Sequence, residues 1–110
     1  MRPVPEVPAT NAEIVRAERA DAAEVESLAA IAIDRYSRFA LDERFPRAAA
    51  PRIFAAWAGN SVRGYADVVH VARLEGRIVG YCTWRVVRAT AEHLGCDYVR
   101  LDLCAVHPDA

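Results

Sequence analysis

The side chains able to do chemistry fall into three groups, and their spacing limits what each group can be. His70, His93 and His107 lie in a strand-like run, a connector and a turn, with none of the close ligand spacings of a metal site, so no metal is expected. Cys82, Cys96 and Cys104 are odd in number and contain no CxxC pair. They stand in or beside strand-like segments, where a small apolar thiol packs well, so buried free thiols are expected, against a catalytic or disulfide role. Asp102 shares a strand face with Arg100 and Cys104 by period two, which on spacing alone gives an Asp102–Arg100 ion pair on a solvated face. The sequence has no GxGxxG and no Walker phosphate loop.

Composition bounds the setting for these groups. The chain has 110 residues, 54% of them hydrophobic and 26% charged, the balance of one small globular unit. Its net charge is -1, and this lack of basic excess argues against nucleic acid as a partner. All basic residues are arginine, which by itself points to no ligand. Met1 to Asn11 carries Arg2 but no apolar h-region, and no apolar run approaches the ~20 residues that span a bilayer. The expectation is therefore a cytoplasmic protein with no membrane association.

The elements that must position the chemistry follow from periodicity and turn residues. Pro3, Pro5 and Pro8 disfavour helix and central strand, so residues 1–12 are expected to be a disordered lead. Glu13 to Ala17 fits a first strand. Asp21 with Glu24 three residues later has capping-box spacing, and Val25, Leu28, Ala29 and Ala32 give the following helix one apolar face. Tyr36 to Arg47 is expected to be a loop, and a second helix should start near Pro51, carry Ile53, Phe54, Trp57 and Ser61 on one face, and end at Gly64. Core packing is the expected use of Phe54 and Trp57. Val68–Arg73 and Ile78–Val87 read as strands joined by a tight turn at Leu74-Glu75-Gly76-Arg77. Thr90 to Gly95 reads as a short connection, and Val99 to Ala105 as a last strand ended by Pro108.

The order strand, helix, helix, three-stranded antiparallel meander resembles the N-terminal half of the GNAT superfamily of acyl-CoA-dependent N-acetyltransferases. The residues that carry the resemblance are Val79-Gly80-Tyr81 and the run from Leu101 to Ala110, which looks like the family's fourth strand and its exit. Ser37-Arg38-Phe39, Trp57 and Asn60 to Gly64 further resemble dTDP-fucosamine acetyltransferase-like members. The fold class so implied is α+β, a truncated GNAT fold over residues 13–110 that lacks the pyrophosphate-binding loop and helix.

This resemblance implies acetyl-CoA as cosubstrate and a small-molecule amine or amino sugar as acceptor. In such a reaction an amine attacks a thioester carbonyl, and the developing oxyanion needs donors already aimed at it. The matching main-chain groups are those of Cys104, Ala105 and Val106. Asp102 occupies the place of the general base, with the surface ion pair as the alternative, and Arg100 stands where some relatives carry a glutamate. Tyr36, Ser37 and Arg38 match the acceptor side, against a solvated interhelical loop. Without a further strand beyond the fourth, the exposed edge invites self-association. Such a chain is expected to be inactive alone. A non-catalytic binding or regulatory domain of the same fold is a second reading, and a different small α/β module with an accidental similarity is a third.

Overall fold

The computed structural model describes residues 2–32 and 37–110. Residues 2–12 form no regular element. Strand β1 (Glu13–Arg16) leads through a 3₁₀ turn (Arg19–Asp21) into helix α1 (Ala22–Ile31). A one-turn helix α2 (Arg38–Leu41) and helix α3 (Ala49–Asn60) follow, the latter closed by a π turn (Ser61–Tyr65). The hairpin β2 (Val68–Leu74) and β3 (Arg77–Val86), helix α4 (Arg88–Leu94) and strand β4 (Val99–Val106) complete the order. The four strands form one antiparallel sheet in the order β1-β2-β3-β4. The expected α+β order is therefore present.

Helix α1 buries Val25, Leu28 and Ala29, the face its period prescribes, but its entry differs from expectation. Asp21 does not cap α1. Instead the Glu18 N–H donates to Asp21 Oδ2 at 2.8 Å, so the reciprocal turn lies three residues earlier. Asp21 Oδ1 is also held by Arg73 Nη2 of β2 at 2.6 Å. A carboxylate already engaged in charge-assisted bonds has nothing left for the N–H groups of α1.

The Glu18 N–H and then Arg73 hold the Asp21 carboxyl below the usual carboxylate range, against the opposing effect of partial burial. A depressed folded value contributes stability that is complete above the unfolded value near ~3.9 and is lost as pH falls through the folded one. Asp21→Ala is expected to cost about 1 kcal/mol at neutral pH, the usual loss for a removed helix-entry acceptor. Urea-unfolding midpoints of the two proteins should converge as the solution is made more acid.

The β2–β3 turn places Glu75 at φ 51° and Gly76 at φ 78°, both left-handed, which suits a two-residue hairpin. Glycine meets this demand freely, whereas glutamate does not. Glu75→Asn is expected to stabilise the fold by ~0.5–1 kcal/mol, read from the denaturation midpoint. Gly64, at φ 127° inside the closing turn of α3, meets the expectation of a glycine terminator there.

Helices α1 and α3 cover one face of the sheet. Val25, Leu28, Ala29 and Ala58 pack there against Val71, Ile78, Tyr81 and Leu103, with Phe54 and Trp57 bordering the cluster. The aromatics of α3 thus serve the core, and Phe39 of α2 meets Phe54 edge-on at 5.9 Å. Gly59 lets Glu26 of α1 cross α3 to reach Arg63 at 2.5 Å, because any Cβ at 59 would overlap the Glu26 side chain.

Two segments differ from the sequence reading. The stretch expected as a loop contains α2, whose first turn is nucleated by Ser37: its Oγ accepts from the Ala40 N–H at 3.2 Å. The connection expected over Thr90 to Gly95 is mostly helix α4, closed by Gly95 at φ 68°. No residue of α4 is fully buried, so there was no apolar stripe to reveal it.

Candidate functional site

The outer strand β4 departs from regular pairing at one residue. Thr83 pairs with Leu103 and Trp84 with Leu101, so Asp102 is the extra residue of a bulge. The buried Thr83 hydroxyl fixes it by accepting the Leu103 N–H at 3.0 Å. The bulge breaks the strict alternation expected for Arg100, Asp102 and Cys104. It also takes Asp102 out of the solvated face: its side chain is 5% exposed, against 48% for Arg100.

Arg100 Nε donates to Asp102 Oδ1 at 2.5 Å, so the expected ion pair exists. Its other oxygen, Oδ2, is buried without a partner among the described residues, and so is the indole N–H of Trp84, which flanks the same bulge. Buried polar atoms are normally hydrogen-bonded, so each of these two atoms has capacity left for a partner. Asp102 in turn raises the Arg100 pKa, chiefly through the hydrogen bond.

Arg85, directly across from Arg100, is drawn aside by Tyr65: its Nη1 donates to the phenolic oxygen at 2.9 Å and the guanidinium lies 4.5 Å from the ring centroid. Asp67 Oδ2 accepts the Val86 N–H at 2.7 Å and secures the same end of β3. Sequence reasoning singled out neither Tyr65 nor Arg85. The pairing of residues 20 apart was the missing signal.

Below the bulge, Cys104, Ala105 and Val106 line a shallow groove of about 200 Å³ on the sheet face opposite the helices, together with Ile14, Ala72 and Gly80. Gly80 forms the floor, where a Cβ would stand 3.4 Å from the Ala105 carbonyl oxygen, 3.5 Å from Ala72 Cβ and 3.7 Å from Val106 Cγ2, all ordinary van der Waals contacts. Because β4 is the outer strand, alternate main-chain N–H and C=O groups along this stretch point away from β3 with no strand partner among the described residues. Edge position and apolar lining suit an extended ligand that bonds main chain.

The thiols are less buried than expected: Cys82 is half-buried, and Cys96 and Cys104 are exposed. Period-two packing puts a strand residue in the core only where a layer covers its face, and no described helix covers this one. Cys82 lies directly across from Cys104 with the sulfurs 2.8 Å apart, and burial, then the contact with Cys104, pushes its thiol up to about 12.

Ser37 and Arg38 sit on α2, which packs on α3, and neither lines the groove. Tyr36 lies outside the described residues. A larger hollow of about 480 Å³ lies between α4 and the start of β4, with Arg88, Glu92 and Tyr98 on its walls. No group of three His, Cys, Asp or Glu side chains that would hold a metal ion occurs among the described residues. No helix among them is long and apolar enough to cross a membrane.

No family model matches the chain. No curated protein matches it in sequence. Among solved structures it is similar to the ribosomal-protein-alanine N-acetyltransferase from Brucella melitensis biovar Abortus 2308, with a TM-score of 0.55 and 21% identity over 89% of this chain. The chain spans 58% of the length of that enzyme. The likeness shows the fold alone, one shared with part of that enzyme. It lends nothing to the resemblance to dTDP-fucosamine acetyltransferase-like members.

Proposed function

We propose that this chain is part of an acyl-CoA-dependent N-acetyltransferase, moving an acetyl group from acetyl-CoA to a primary amine of a small molecule or amino sugar. The observation that carries the reading is Asp102: a nearly buried carboxylate with one unspent oxygen, at the bulge of the edge strand whose next residues line an apolar groove. Stability alone does not call for a buried charge with an empty hydrogen-bonding position. A protonated amine satisfies that oxygen; the carboxylate takes its proton, and the neutral nitrogen then attacks the thioester carbonyl. As the C–S bond breaks, coenzyme A leaves as the thiolate and takes up the proton that the new amide nitrogen loses. The alternate main-chain groups of the Cys104–Val106 stretch that point away from β3 orient the acyl arm along β4, and Arg100 keeps Asp102 in place. Ser37 and Arg38 would contribute on the acceptor side only if the substrate reaches α2.

The pyrophosphate-binding part lies, on this reading, outside residues 13–110, so these residues alone should bind acetyl-CoA weakly. The Arg100–Asp102 pair favours the second reading, a non-catalytic binding domain of the same fold. Calorimetric titration of acetyl-CoA separates them, comparing this chain with a polypeptide lengthened by the coding sequence after Ala110. Heat of binding in the longer protein supports the acetyltransferase, and no binding by either rejects it. Gly80→Val, which fills the groove floor, is expected to weaken that binding at least tenfold while changing folding stability by less than ~1 kcal/mol, since valine suits a strand.

A further inference from the structure

We propose that Cys82 and Cys104 form a redox-active dithiol, a covalent modification site that reacts with small disulfides and closes to a cross-strand disulfide within the chain. The two residues are direct partners in the β3–β4 register, and their sulfurs are 2.8 Å apart. Antiparallel partners have Cα separations of about 4.5 or 5.5 Å, both inside the ~4.4–6.8 Å range that a disulfide bridges, so closure needs no movement of the strands. Both thiols open onto the groove on the uncovered sheet face, which gives a small reagent access.

The two cysteines divide the work. Cys104 is exposed and is the attacking group, whereas Cys82 is half-buried. The Cys104 thiolate attacks one sulfur of a small disulfide, forming a mixed disulfide as the reagent's S–S bond breaks and its first thiolate leaves. Cys82 then gives up its proton and attacks the Cys104 sulfur. The protein disulfide forms, and the second small thiolate leaves and takes the proton. Two protein thiols are oxidised, and one small disulfide is reduced to two thiols. Burial raises the Cys82 thiol to about 12, which makes it a poor first nucleophile but leaves it in place as the resolving group. Cys96 lies beyond α4, outside the sheet, and takes no part.

The test uses the folded chain and oxidised glutathione, with acid quenching, alkylation and mass spectrometry. Free thiols should fall from three to one, with Cys82 and Cys104 joined in one peptide pair and only traces of mixed disulfide. Cys82→Ser should instead accumulate a stable glutathione adduct on Cys104, at an occupancy rising from trace to nearly complete. In denaturant the preference should shift to Cys96–Cys104, because the shorter loop closes more easily. The proposal is overturned by a folded wild type that links Cys96, by one that holds a persistent adduct on Cys104, or by a Cys82→Ser protein indistinguishable from wild type. The readout is thiol chemistry alone, so it is independent of whether the chain transfers acetyl groups.

Discussion

On the proposed acetyltransferase reading, Asp102→Asn is expected to lower the rate of acetyl transfer by about 10²–10⁴-fold, the usual contribution of a positioned general base. The amide keeps the shape of the carboxylate and can still accept from Arg100, but it cannot take the amine's proton. The deficit should therefore shrink as pH rises, because more of the acceptor is already neutral. Binding of acetyl-CoA should be unchanged.

Folding stability should hold or increase, since substitution removes a charge from a side chain only 5% exposed whose second oxygen has no partner. A loss of rate without a loss of stability separates this role from a structural one. If Asp102 were only the partner of Arg100, its replacement would leave the rate and the pH profile of transfer unaltered.

Leu28→Ala should produce the largest loss of stability, about 3 kcal/mol, as expected for a buried leucine truncated in a close-packed core. Leu28 is 3% exposed and belongs to the cluster of α1, α3 and the sheet. A domain of this size has about 5–15 kcal/mol in total, so one side chain carries a large share. The matched control is Ile31→Ala, three residues further along the same helix, which sits 55% exposed and should change stability by no more than ~0.5 kcal/mol. Urea denaturation with an unchanged m-value is the measurement. Equal effects from the two substitutions would mean that α1 is rotated relative to the packing described above.

What the sequence reveals of this fold is whatever has a short-range cause. The face of α1 is legible because Val25, Leu28 and Ala29 recur at helical period, and the hairpin because Glu75-Gly76 interrupts two strand-like runs. Helix α4 was hidden because it buries no residue completely, so its amphipathic signal is missing. The capping turn was misplaced because its deciding partner, Arg73, lies 52 residues from Asp21.

Within the candidate site, the run from Cys104 to Val106 could be matched to a strand by its words, and the structure places all three residues on one groove. The bulge at Asp102 could not be foreseen, since it depends on Thr83 from the neighbouring strand. For the same reason the Cys82–Cys104 contact is invisible in the sequence: the two residues are 22 apart, and only the settled register of β3 and β4 brings them together.

The most direct test of the central claim is a titration of this chain with S-acetylpantetheine, followed by amide chemical shifts. The acyl arm alone needs no pyrophosphate site, so the 110 residues suffice. Millimolar ligand is expected to shift the amides of Gly80, Cys104, Ala105 and Val106, and Gly80→Val should abolish those shifts. Perturbations confined to the hollow beside α4, or none along β4, would contradict an acyl-transfer site on this strand.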